Sequence, residues 1–236
     1  MPDQTLSDVW NNVIGTQADP PSALVLATGL VALAVVLAPG SWRVARNVVT
    51  IAHEGGHALA ALASGRRLTG IRLHSDTSGV TLSKGKPTGA GMVFTGAAGY
   101  PAPPLIGLAG AGLLTIGHIT ALLWISLALL AGMLVVIRNV FGVVSVVATG
   151  AAVFAVSWFA SSTVQAVFAY FFVWLLLLAG SRPVVELQRQ RRRGRAPHSD
   201  ADQLAWLTHV PALVWVGLFG LLAIVALLVG GRWLLA

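Results

Sequence analysis

An all-α polytopic membrane protein, with about seven transmembrane helices and one small β-hairpin, is the fold class this sequence predicts. Three observations predict it. Of 236 residues, 56% are hydrophobic and 10% charged, whereas a soluble domain carries about a quarter charged residues to coat its surface. The apolar residues fall in runs of about twenty, the length that crosses roughly 30 Å of hydrocarbon. The net charge of +7 is concentrated: Arg182, Arg189, Arg191, Arg192, Arg193 and Arg195 share one short segment, as in the cytoplasmic loops of membrane proteins. Together these exclude a soluble enzyme, a disordered regulator and a nucleic-acid-binding domain, and make the lipid bilayer the expected partner. Zero cysteines exclude a disulfide scaffold and a thiolate zinc cluster.

Residues 1–21 read as a polar, mildly acidic tail. They lack the basic start and small-residue cleavage site of a signal peptide. A first span is expected over 22–38, ended by Pro39-Gly40, and a second helix over 42–64, which carries His53, Glu54 and His57. From 66 to 88 the chain turns polar. Alternation in 68–73 and 80–82 around Asp76-Thr77-Ser78-Gly79 predicts a β-hairpin, whose edge strand can hold an extended peptide. Residues 90–116 are broken by Pro101, Pro103 and Pro104 and read as one kinked span, or a re-entrant piece leading into a shorter helix. Further spans are expected over 119–137, 140–160 and 163–179, followed by a basic loop over 181–199. Ser199 before Asp200 and Asp202 supplies an N-cap and acidic first turn for a last helix running to about 229. There is no internal repeat and no separable soluble domain, so residues 1–236 read as one membrane-embedded unit.

With seven spans, the hairpin, the turn at Arg138 and the basic loop fall on one face and hold 12 of the 15 Lys and Arg. Arg43, Arg46 and Arg232 fall on the other. The excess of basic residues in cytoplasmic loops then places the N-terminus in the cytoplasm.

The residues that carry chemistry are His53-Glu54-Gly55-Gly56-His57, an H-E-x-x-H pattern. Positions four apart on a helix share a face, so two neutral imidazoles can bind one Zn²⁺. Glu54, one residue past the first histidine, is placed to deprotonate a water and pass the proton to a leaving amine. A chain of this composition contains roughly 0.001 such matches by chance. Three ionisable groups inside an apolar helix are costly unless paired or metal-bound. The pattern therefore points to zinc-dependent peptide hydrolysis.

His53-Glu54-Gly55-Gly56-His57 in a membrane helix, followed by a polar hairpin, resembles the site-2 protease family of intramembrane zinc metallopeptidases. The likeness is to its compact bacterial branch, and Ser199-Asp200-Ala201 with Leu204 and Pro211 also resembles that branch. The resemblance implies a multi-pass protein of a bacterial inner membrane that cuts membrane-protein or peptide substrates. Better-known members take a third zinc ligand from an Asp-Gly pair. This sequence has no Asp-Gly, and Asn139-Val140-Phe141-Gly142 lacks the proline of the accompanying motif. A catalytic zinc has three protein ligands and one open position, so Asp200 at the start of the last helix is taken as the third, with His198, Asp76 and His74 as alternatives. Two alternatives use the same residues: a non-hydrolytic metal-binding or transport protein, and a protease relic.

Overall fold

A computed structural model describes residues 6–196 and 199–236. The expected tail contains a short helix, α1 (Leu6–Ile14). The segment after it docks where two apolar runs meet. The Gln17 amide donates to the Gly117 carbonyl at 2.8 Å, its Nε2 donates to Thr120 Oγ1 at 2.7 Å, and His118 Nδ1–H donates to the Gly15 carbonyl at 3.1 Å.

Helix α2 (Ser22–Leu37) and helix α3 (Pro39–Ala63) meet at a bend of 102°. Pro39 suits a first helical position because it has no N–H to satisfy there. It cannot continue α2, since its ring removes a backbone bond and clashes with the preceding turn. Strands β1 (Arg67–Leu73) and β2 (Gly79–Lys84) form the expected antiparallel hairpin. Its turn is tied by the Asp76 carboxylate, which accepts from the Ser78 hydroxyl at 2.6 Å and amide at 2.9 Å. These two bonds hold the Asp76 carboxyl below its ordinary range.

The proline-rich stretch is two helices, α4 (Ala90–Ala97) and α5 (Ala102–Thr115). Helices α6 (Ile119–Val136) and α7 (Val140–Phe159) match their expected positions. Helix α8 (Ser162–Ala179) continues into α9 (Ser181–Arg192), so the segment expected as a basic loop is mostly helical, and the two make one 31-residue apolar-to-basic rod. Arginine is a good helix former, and the α8 backbone bonds are already in place to propagate. The last expected helix is also two, α10 (Asp200–Thr208) and α11 (Ala212–Leu235). His209 caps α10 in the left-handed region with φ of 59°, and Pro211 precedes α11.

By length and composition, four helices suit a membrane crossing (α6, α7, the α8–α9 rod and α11), and the bent α2–α3 pair makes a fifth. The expected seven is not reached, because α3 is bent away from α2 and the proline-rich run is cut into pieces too short to count. About a fifth of the best apolar window of α6 or of α7 is buried within the protein. The remaining Leu, Ile and Val side chains face outward, an arrangement stable in hydrocarbon and costly in water. The chain is a membrane protein.

The bend also changes which groups share a side. The Arg138 amide at the end of α6 donates to the Ile71 carbonyl at 2.9 Å, and Asn139 brackets Leu73, accepting from its amide at 3.2 Å and donating to its carbonyl at 2.6 Å. The hairpin thus sits at the Arg138 end of α6. Gly15 and Gln17 sit at the opposite end, beside His118 and Thr120. N-terminal segment and hairpin do not share a face as expected, because a bend at Ala38 takes the place of a full crossing by α3. Arg46, expected across from the basic segment, instead pairs with Glu186 of α9 at 3.3 Å.

The main core lies among α2, α5, α8 and α11, around Trp174, Leu175 and Leu177. Ile71, Leu73, Ile137 and Val146 seat the hairpin against α6 and α7. A third cluster, with Val184, Leu187, Ala201, Leu204, Val216 and Phe219, packs α10 against α9 and α11.

Candidate metal centre

Helix α3 carries His53, Glu54 and His57 one turn apart, and α10 brings Asp200 to them. His53 Nε2 and His57 Nε2 stand 3.1 Å apart, and Asp200 Oδ2 is 3.2 Å from the first and 3.3 Å from the second. These three donors form the group able to hold a metal ion among the described residues. A tetrahedral site with bonds of about 2.0–2.1 Å has ligand-to-ligand edges of about 3.3–3.4 Å, and the observed separations sit just under that. The donor chemistry agrees. His57 Nδ1–H donates to the Thr95 carbonyl at 2.7 Å, so a neutral His57 turns the lone pair of Nε2 toward Asp200. Two imidazoles and a carboxylate converging on one point are a donor set that a divalent metal takes. The residues present fit a divalent metal.

Asp200 reaches this position because its neighbours hold the start of α10. The Ser199 hydroxyl caps the helix, accepting from the Asp202 amide at 3.3 Å. Asp202 takes a forked bond from Arg191 of α9, with Nη2 at 2.7 Å and Nε at 3.1 Å. Ala201 and Leu204 are fully buried beneath. Helix capping falls to Ser199 and the ion pair to Asp202, which leaves the Asp200 carboxylate to the histidines. Of the other candidates, His74 and Asp76 are engaged with Ser78 in the hairpin turn and do not join the group. His198 lies outside the described residues.

Glu54 is buried, at 3% exposure. Its Oε2 accepts from the Thr81 hydroxyl of β2 at 2.6 Å, so the hairpin orients it. The close approach depends on Gly79, where a Cβ would stand 2.5 Å from Glu54 Oε1. At Gly99, between α4 and α5, a Cβ would lie 2.6 Å from His53 Nε2 and closer still to His57 Nε2. The Tyr100 ring meets the His53 ring edge-on with centroids 4.8 Å apart and stacks on Phe219 of α11 at 5.0 Å. Gly56, within the motif, is needed for packing, since a Cβ there would meet the Ala98 carbonyl at 2.7 Å. Gly55 has no comparable constraint.

Thr81, Thr95, Gly99 and Tyr100 were not foreseen from the sequence. The Gly99-Tyr100-Pro101 interruption of an apolar run was the one local sign, and it spoke of a break rather than of a neighbour to His53. A cavity of about 190 Å³ opens beside His53 and Glu54, bounded also by Arg46, Thr77, Gly79 and Tyr100.

No curated protein and no solved structure matches the chain. The family described as Peptidase M50B-like matches residues 26–230, a span that takes in α3, the hairpin and α10. With most of its length covered by that match, the chain belongs to the Peptidase M50B-like family and is a membrane protein of metalloprotease type.

Proposed function

We propose that this protein is a zinc-dependent intramembrane endopeptidase that cuts membrane-protein substrates. The observation that carries the reading is the triangle of His53, His57 and Asp200 donors, 3.1–3.3 Å on a side, with Glu54 on the same helix. His53, His57 and Asp200 would hold the metal. When bound, zinc supplies Lewis-acid polarisation of the scissile carbonyl and makes water a nucleophile near neutral pH. Glu54 takes the proton of the attacking water and gives it to the departing amine nitrogen, so one carboxylate serves as base and then as acid. Thr81 keeps that carboxylate aimed, and the Thr95 carbonyl fixes the His57 tautomer, as outer partners of metal-binding imidazoles do. A transport reading has no comparable support: among the described residues, no second cluster of this kind accompanies the first.

Proteolysis needs an extended backbone, and the hairpin offers an edge for it. Ile71 and Leu73 turn their backbone groups to Arg138 and Asn139. Their antiparallel partners Thr81 and Gly79 therefore turn theirs to the far edge of β2, beside Glu54. An unwound substrate segment pairs there as an added strand. N-methylation of a single substrate amide within two to four residues of the cut is expected to raise KM about tenfold, the cost of one lost backbone bond. No position showing such a rise would count against strand pairing.

The basic face, with the hairpin and α9, is cytoplasmic in this reading and lies in a bacterial inner membrane. The segment around Gly15 then faces the other side. A cysteine placed at 193 should be shielded from impermeant reagent in intact cells and one at 15 labelled; the reverse pattern would overturn the orientation.

The direct test is the metal. Purified protein should carry about one zinc per chain, lose peptide cleavage on chelation and recover it with added zinc. Material free of any divalent ion yet fully active would remove the proposal.

A further inference from the structure

The cavity beside Glu54 is lined by Arg46, whose guanidinium makes an ion pair but no hydrogen bond among the described residues. Arg46 stands 3.3 Å from Glu186 Oε2, and that oxygen accepts no hydrogen bond. The other Glu186 oxygen is fully engaged, taking Trp42 Nε1–H at 3.0 Å and Arg182 Nε–H at 3.1 Å. Arg182 also lies over the Trp42 ring at 4.6 Å. Two guanidiniums share the Glu186 carboxylate. The Asp76 carboxylate, whose charge also reaches Arg46, takes its hydrogen bonds from Ser78. Tyr100, which lines the same cavity, is held by its ring against His53 and Phe219.

Arg46 precedes His53 by seven residues, two helical turns, so both face one side of α3 with about 10 Å between them along the axis. An extended peptide covers that distance in about three residues at roughly 3.3 Å each. A half-buried guanidinium with open donors is matched by a carboxylate, which it can hold by two parallel bonds. We propose that Arg46 is a specificity residue that binds a substrate carboxylate about three residues from the cleaved bond. Two sources share this chemistry, an Asp or Glu side chain within the substrate and the free C-terminus of a peptide that ends there. The proposal rests on the protease reading above.

The test uses the zinc-loaded full chain in liposomes and a panel of end-blocked peptides carrying Asp, Asn or Lys at each position two to four residues from the cut. At one position Asp should raise kcat/KM about 10- to 100-fold over Asn, as expected for hydrogen bonds to a charged group. Arg46→Gln should erase that ratio, and Arg46→Glu should shift preference to Lys. Tyr100→Phe, which keeps the ring contacts, should leave most of the ratio intact, since Arg46 supplies the charge. A gain seen only when the C-terminus is unblocked assigns the carboxylate to the chain end and still supports Arg46 as its receptor. Equal cleavage of Asp and Asn peptides by the unmodified protein at every position overturns the proposal, as does an Arg46→Gln variant that retains the original ratio. If no peptide in the panel is cut, the protease reading fails. Binding of labelled Asp and Asn peptides by fluorescence anisotropy then decides Arg46 separately, equal affinities being the overturning result.

Discussion

Glu54→Gln is expected to lower peptide cleavage by about 10²–10⁴-fold, the range general acid–base catalysis contributes, and to leave the zinc content unchanged. Glutamine keeps the volume of the side chain, and its amide oxygen can still accept from Thr81, the bond that glutamate makes at 2.6 Å. Gly79 still admits it, since the added atom count is the same. What is lost is the basic oxygen that accepts a proton from water and returns it to the amine. The measurement is kcat on a cleavable peptide alongside metal analysis of the same preparation. Activity within tenfold of the unmodified protein would remove Glu54 from the reaction. Loss of zinc together with activity would instead assign it a structural part in the site.

Asp200→Ala is expected to weaken zinc affinity by more than about 100-fold, the upper end of what loss of an outer hydrogen-bond partner costs, because a direct donor is removed. Cleavage should fall with it. Helix α10 should survive, for its cap is Ser199 and its anchor is the Asp202–Arg191 pair, with Leu204 buried beneath. Competition with a chelator of known affinity reads the first effect, and thermal unfolding of the metal-free protein separates it from collapse of the helix. An Asp200→Ala protein that holds zinc as tightly as the original would leave the metal with two imidazoles and a ligand from elsewhere.

The helix bearing His53, Glu54 and His57 was legible because its chemistry is local: a spacing of four residues becomes one face whatever surrounds it. The hairpin was legible for the same reason, from alternation and a turn of Asp, Thr, Ser and Gly. Ser199 was recognisable as a cap because capping is decided within three residues. The basic segment was misread as a loop, since nothing in Arg-rich composition says whether the preceding helix stops. Its continuation as α9 follows from α8 and from burial of Val184 and Leu187 against α11. Pro39 was visible as a breaker, but its outcome, a turn of 102°, was not. Pro211 was read through as part of one helix, and the structure breaks the chain there into α10 and α11.

By itself the sequence determined the environment, lipid rather than water, and the pair of imidazoles with a carboxylate between them, because composition and helical period act over short stretches. Only the tertiary structure decided that Asp200 meets residues nearly 150 positions earlier, that Thr81 and Tyr100 stand around them, and that Arg46 shares their cavity. Those contacts depend on bend angles and on the burial of distant apolar faces against one another. Such quantities are set by the whole packed assembly and leave no mark in the spacing of nearby residues.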